Sequence, residues 1–340
     1  MQPLSAVSHR YEQRNTTPPA KHVTACVDRS KHARKIVLHA FAIANALRIP
    51  VSLLQVLKTP MSSDLRPDPI ERDIERHEAR DALKSLAEAR PDGVEVIDEE
   101  VVEGYTAEEI CRWTQKRSTE LIVLGTHGER EPGEYGIGST ARDVLEKATG
   151  SVLLVPILTA PARVPTYRRL LVPLDGSSWS ESVLPLAARL ARAANAELIF
   201  VYVVPVPELI ETDPLEAEDV ELRERLIARN ERVARSYLDR VRGYAAEQGL
   251  RVRALTLRGD DIRSSLTTLI KTEHVDLVVF SARGHGGPRV SDVPYGNVAG
   301  YLITHSPVPM LIVRPTGSPS IIPTSAATHR AGPLRARPAA

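Results

Sequence analysis

The stretch Leu121-Ile122-Val123-Leu124-Gly125-Thr126-His127-Gly128, closed after nine intervening residues by Gly138-Ser139-Thr140, decides the fold. Four apolar residues in a row read as a short strand buried on both faces, as in a parallel sheet covered by helices. Gly125 and Gly128 let the backbone turn sharply and approach an anion closely. Gly138 brings the chain to the start of a helix. There Ser139 and Thr140 add hydroxyl donors and the helix dipole favours negative charge. A single glycine pair would mark only a tight turn. The full Gly-x2-Gly-x9-Gly-Ser spacing, opening a helix, predicts a phosphate cradle.

A worn copy follows further along. Leu277-Val278-Val279-Phe280 leads into Ser281-Ala282-Arg283-Gly284, then eleven residues, then Gly296-Asn297-Val298. Ser281 and Asn297 replace the expected Gly and Ser, and the spacing is two residues longer. Glu129, Glu131 and Glu134 crowd the first loop against Arg130 alone, whereas Arg283 and Arg289 oppose Asp292 in the second.

The likeness extends over the whole chain. Asp28 and Asp175 lie 147 positions apart, and the same offset carries Ile36, Ala40, Ile43 and Leu47 onto Val183, Ala187, Leu190 and Ala194. Those positions have one-face helical spacing in both copies. Further on the offset becomes 156, pairing Gly93 with Gly249 and Gly128 with Gly284, and then 158, pairing Gly138 with Gly296. Two length changes suffice, one near the second helix and one in the glycine loop, where insertions are tolerated.

Each copy reads as alternating strand and helix. In the first, strands are expected at His22–Val27, Val51–Leu57, Val94–Val102, Leu121–Leu124 and Val152–Val155. Helices are expected from about Ser30 to Leu47, Pro69 to Ala89, Thr106 to Arg117 and Ser139 to Ala148. The second copy repeats this from Arg169 to Val313. Alternation of this kind implies two tandem open parallel five-stranded sheets with helices on both faces. The expected organisation is a disordered tail over 1–20, one domain over 21–157, a proline-containing linker over 158–167, a second domain over 168–315 and a disordered tail over 316–340.

Ligands of such sheets bind beyond the carboxyl ends of the strands, at the switch in strand order. Asp28 and Asp175 close their first strands, in Val27-Asp28-Arg29-Ser30 and Leu174-Asp175-Gly176-Ser177. Each carboxylate either caps the following helix or accepts a hydrogen bond from a ligand. His127 and His285 read as solvated loop residues, within reach of a phosphate. The charged residues 71–90 read as a solvated helix face. Trp113 and Trp179 read as packing residues.

Composition narrows the function. The 340 residues carry 44 basic and 43 acidic side chains, and aromatics make up 4%. No nucleic-acid field or base-stacking surface is implied. The two cysteines, Cys26 and Cys111, fit a reducing compartment and no disulfide framework. No run approaches the roughly 18 apolar residues of a membrane span, and the first 20 residues lack an apolar signal core. A cytoplasmic protein is expected. There is no Walker P-loop, no Gly-x-Gly-x-x-Gly fingerprint, no nucleophile elbow and no metal-ligand spacing.

These motifs resemble those of the universal stress protein family, two domains in tandem over about Lys21–Pro315. The resemblance rests on Leu171-Val-Pro-Leu-Asp-Gly-Ser177, on Leu121–Gly128, on the glycine spacing, and on Pro307-Val-Pro-Met-Leu-Ile-Val-Arg314. It implies a Rossmann-like fold similar to adenine-nucleotide alpha-hydrolases, and a regulator of stress physiology that binds ATP, with Mg or Mn as a companion, and does little or no catalysis. By that resemblance Val27 and Asp28 flank adenine or ribose, and Val56 packs on adenine. Gly125, Thr126, His127, Gly128, Gly138, Ser139 and Thr140 surround ribose and phosphates. The second, weaker site would comprise Asp175, Val203, Gly284, Gly296, Asn297 and Val298. It also implies pairing of Val152–Val155 with Met310–Val313 as an intramolecular pseudo-dimer, with remaining edges open to a homodimer. Two other readings stand: a nucleotide-independent protein that docks an unknown partner, and a slow ATP hydrolase.

Overall fold

A computed structural model describes residues 21–59, 68–128, 136–156, 163–207, 217–282 and 295–314. Both expected tails, part of the linker, Gly284, His285 and the charged centres of the two glycine loops lie outside the described residues.

The first half runs β1 (His22–Val27), α1 (Ala33–Leu47), β2 (Val51–Lys58), α2 (Pro69–Glu88), β3 (Val96–Gly104), α3 (Thr106–Lys116), β4 (Thr119–Gly125), α4 (Ser139–Lys147) and β5 (Ser151–Val155). The second half runs β6 (Arg169–Pro173), α5 (Ser178–Glu181), α6 (Leu184–Ala194), β7 (Glu197–Pro205), α7 (Ala217–Glu247), β8 (Arg251–Gly259), α8 (Ile262–Thr272), β9 (Leu277–Ser281), α9 (Asn297–His305) and β10 (Met310–Val313).

The repeat is written into the backbone as well as the side chains. Left-handed residues recur in pairs at the repeat offsets: Arg48 and Asn195, Gly93 and Gly249, Ser118 and His274. Arg48 and Asn195 both terminate a helix, where a left-handed residue lets the last carbonyls find partners. The halves share an Asp-Ser turn after their first strand, Asp28–Ser30 and Asp175–Ser177, and differ in the two helices that follow. α1 begins at Ala33 rather than Ser30, because Asp28 and Ser30 first form a turn in which Asp28 Oδ1 accepts from the Ser30 amide at 3.0 Å and Ser30 Oγ from the His32 amide at 3.2 Å. The matching helix of the second half is broken into α5 and α6, and Pro185 opens the latter; proline suits a first turn and cannot continue an earlier one. α7 has 31 residues against 20 in α2, which is where inserted length goes.

The two five-stranded units join through their last strands, Ser151–Val155 with Met310–Val313, as the resemblance implied. One ten-stranded sheet runs β3-β2-β1-β4-β5-β10-β9-β6-β7-β8. Every neighbouring pair is parallel except the central one, where β5 and β10 are antiparallel with Leu153 opposite Leu311. Both strands are buried along their whole length. Left as edges they would expose apolar rows with unpaired amides, and pairing them removes both edges at once. The outermost strands β3 and β8 are the half-exposed ones, so they depart from the fully buried reading.

Two apolar layers sandwich the sheet. One is formed with α1, α2, α6 and α7 and includes Phe41, Leu53, Leu83, Phe200 and Leu238. The other is formed with α3, α4, α8 and α9 and includes Trp113, Leu145, Ile270 and Leu302. Each layer spans both halves, so the halves share one core. Polar contacts reinforce the seam: His39 Nδ1 lies 2.7 Å from the Tyr167 hydroxyl, and Arg189 donates to Glu120 at 2.6 Å. The face of α2 is solvated as expected. Its Arg72 and Arg76 reach Glu103 of the neighbouring strand, and Arg72–Glu75 and Arg76–Asp73 pair at i,i+3. Among the described residues no helix is long and apolar enough to cross a membrane.

Candidate functional site

In the first half the strand order reverses between β1 and β4, since the chain steps outward to β2 and β3 and then returns. The crevice beyond their carboxyl ends is where a doubly wound sheet binds ligands. Asp28 is the first residue past β1, Gly125 is the last of β4, and Gly138 caps α4. Three segments far apart in sequence thus meet at one edge.

Their contacts are specific. A Cβ placed on Gly128 would stand 2.5 Å from Asp28 Oδ2, so the loop backbone lies directly against that carboxylate. A Cβ on Gly125 would stand 2.9 Å from the His127 carbonyl and 3.1 Å from Ile36 Cδ1, so only glycine lets the strand turn there. The Thr126 amide donates to the Val155 carbonyl at 3.0 Å, and the Gly138 amide donates to the Thr126 carbonyl at 2.8 Å. These bonds staple the two ends of the loop together at the edge of β4 and β5. Thr126 is buried, and its hydroxyl lies 3.2 Å from His127 Nδ1. Burial lowers the pKa of His127, which favours the neutral ring.

Among the described residues no side chain caps α4, whose N-cap Gly138 is extended. Its first amides therefore have no side-chain acceptor among the described residues. Ser139 is exposed and Thr140 half-buried beside them. Val27 is buried at the end of β1, and Val56 is half-buried near the end of β2 against the layer of α3 and α4. An apolar wall and an amide-lined turn thus flank Asp28. Among the described residues no group of three or more His, Cys, Asp and Glu side chains is placed to hold a metal ion.

The second half keeps the scaffold and changes the contacts. The Gly296 amide donates to the Ala282 carbonyl at 3.1 Å, matching the Gly138 staple. Gly296 caps α9, whose first residues are Asn297 and Val298. Val203 is buried at the position of Val56. Asp175 Oδ1 accepts from the Ser177 amide at 2.9 Å, as Asp28 does from Ser30, and also from the Ser177 hydroxyl at 2.6 Å. Tyr202 stands where the first half has Gln55, 4.0 Å from a Cβ built on Gly176. Gly284 lies outside the described residues, so the counterpart of the Asp28–Gly128 contact is not among the described contacts.

The family model of the universal stress protein family matches residues 19–156 and again 166–314. The chain belongs to the universal stress protein family.

A curated universal stress protein of Methanocaldococcus jannaschii, MJ0531, is 32% identical over 80 residues, covering 24% of this chain and 47% of the relative. The chain thus spans about half the length of that relative. Among solved structures, a universal stress protein from Archaeoglobus fulgidus matches with a TM-score of 0.60 at 18% identity, over 86% of this chain and 98% of its own. PA1789 from Pseudomonas aeruginosa matches with a TM-score of 0.56 at 16% identity, over 87% and 93%. At these identities the likeness bears on the fold.

Sequence reasoning about this universal stress protein missed the residues behind its loop. Ile36 packs under Gly125, and Lys35, buried at 5% exposure, donates to the Pro156 carbonyl just past β5. Burial lowers the Lys35 pKa to about 8. Ile36 was legible as a core position of an amphipathic helix. Lys35 was not, because a lysine beside an apolar stripe reads as solvated until the partner carbonyl is placed.

Proposed function

We propose that this universal stress protein is an ATP-binding regulator of a stress response in the cytoplasm. Its two units, 21–157 and 168–315 with 158–167 between them, divide the work: the first holds nucleotide and the second is a weaker site. Val27, Asp28 and Val56 receive the adenine and ribose. The loop Gly125–Gly128 and the Gly138-Ser139-Thr140 helix start receive the phosphates on backbone amides. The observation that carries this reading is the approach of Gly128 to Asp28 Oδ2, which brings the phosphate-type loop and the strand-end carboxylate into one crevice. The bond from the Ser177 hydroxyl to Asp175, added to the amide bond that Asp28 also has, supports a weaker second site.

Mg or Mn fits this crevice as part of the nucleotide complex, held by phosphate oxygens and water, where it would neutralise phosphate charge. The chain's own residues supply binding and orientation, and no catalytic role is assigned to any of them. The output then passes to a protein partner, or to a second chain, through a nucleotide-dependent surface.

Mass spectrometry of ligand released from denatured protein, followed by Mg-ATP titration calorimetry, tests this. We expect about one adenine nucleotide per chain, lost in Gly138→Trp with the far-ultraviolet circular dichroism unchanged. Two nucleotides per chain would overturn the ranking of the halves. Absence of both ligand and heat would favour the nucleotide-independent partner-binding reading. Steady ATP turnover abolished by Asp28→Ala would favour a hydrolase.

A further inference from the structure

The two halves differ in side-chain size at one position of their first helix. On α1, Phe41 is fully buried and fills the space between its helix and the sheet. At the repeat offset the second half has Ala188 on α6. The strand registers confirm the equivalence, since Val23 pairs with Val51 in β1–β2 and Leu170 with Leu198 in β6–β7. Where the ring of Phe41 would lie, a cavity of about 260 Å³ opens between α6 and α7 over β7.

The cavity has an apolar floor and a basic mouth. Leu198, Phe200 and Val241 form its buried walls, with Leu184 and Leu250 beside them. Arg189, Arg192, Tyr244 and Gln248 stand at the rim, and no acidic residue lines it. Arg189 is engaged by Glu120 across the seam. Arg192 is exposed, and its partners among the described residues are neutral: the Gln248 carbonyl at 3.3 Å and its side-chain oxygen at 3.4 Å. A carboxylate would bond this guanidinium more strongly than either, through shorter charge-assisted and bidentate contacts.

We propose that this cavity is a binding site for a medium-chain fatty acid, its chain on Leu198, Phe200 and Val241 and its carboxylate on Arg192. The size argues for the class. A cavity of about 150 Å³ accommodates benzene, so 260 Å³ suits a ligand of roughly ten heavy atoms. The buried walls offer no hydrogen-bonding side chain, so a sugar or nucleobase would bury polar groups unpaired, whereas an acyl chain buries none. The site is separate from the crevice at β1 and β4 and does not rest on the nucleotide reading.

Octanoate, which has a chain of matching size, and the uncharged 1-octanol are the probes, titrated into the full chain by calorimetry. Octanoate is expected to bind saturably with one site per chain. Ala188→Phe, which restores the plug of the first half, is expected to abolish that binding. Arg192→Gln is expected to weaken octanoate roughly tenfold or more while leaving octanol unchanged. Because the Arg192 side chain is exposed, this variant decides the matter even if Ala188→Phe fails to fold. No saturable binding by the wild type, unaltered binding by a folded Ala188→Phe, or equal octanoate affinity in Arg192→Gln would each overturn the proposal.

Discussion

The carboxylate of Asp28 and the backbone of Gly128 are in contact: a Cβ on Gly128 would fall 2.5 Å from Oδ2. No real side chain tolerates that separation, and the residue that must yield is the flexible end of Asp28 rather than the backbone. Gly128→Ala is therefore expected to push the carboxylate out of place while the sheet beneath stays intact. Nucleotide affinity should fall by at least about tenfold, since one charge-assisted hydrogen bond of about 1.5 kcal/mol is lost or misaimed. Calorimetric titration of Mg-ATP against the variant, with a thermal melt alongside, measures both halves of that statement.

His39 gives the fold an acid-sensitive seam. It is 5% exposed, on α1, against the Tyr167 hydroxyl that leads into β6. Burial, with a smaller contribution from the Lys35 charge, lowers its pKa to about 4 from an ordinary value of 6.5. The unfolded chain therefore binds a proton there between those two values and the folded chain does not, so stability rises with pH through that window. The contribution is fully present above about pH 6.5 and is lost as the pH falls towards 4. Its upper limit is about 3 kcal/mol. Urea unfolding of wild type and His39→Gln at a series of pH values should show a steeper acid-side decline in the wild type.

Phe41 measures what the plug of the first half contributes. Its ring is fully buried between α1 and the sheet. Phe41→Ala is expected to destabilise by about 3–5 kcal/mol, from lost transfer energy and the void left behind. The denaturant midpoint should fall with little change in slope. A small apolar molecule that fits the new void should recover part of the loss.

Leu153 and Leu311 face each other across the only antiparallel pairing among the described strands, and both are fully buried. Leu153→Asp would bury an unpaired charge at the join of the halves, a change expected to destabilise by at least about 3 kcal/mol. Hydrogen exchange should show β5 and β10 losing protection first, ahead of β1 and β6.

Much of this was open to reading beforehand. The apolar run Leu121–Leu124 and the helix-spaced positions Ile36, Ala40, Ile43 and Leu47 report burial directly, because periodicity is imposed by one-sided or two-sided packing. The boundaries of β1 agree to the residue, and α2 and α3 to within one. β3 proved harder, since an edge strand with one covered face carries a mixed pattern, and its observed span begins two residues later than expected. The Asp28–Ser30 turn was harder still: a residue pair suited to capping looks the same whether the helix begins at once or three residues on. Asp28 and Gly128 were both singled out, but their contact depends on the side-by-side placement of β1 and β4, which no local pattern contains.

By itself, then, the sequence determined the repeat, the alternating elements and the loop chemistry, because each is a short-range matter of side-chain spacing, glycine freedom and helix dipoles. Tertiary structure alone decided that Gly128 lies against Asp28, that Lys35 and His39 are buried at the seam, and that a cavity opens beside Ala188 where the first half carries Phe41. Those outcomes turn on which surfaces meet and how completely they fill the space between them, and packing of that kind is a property of neighbours distant in the chain.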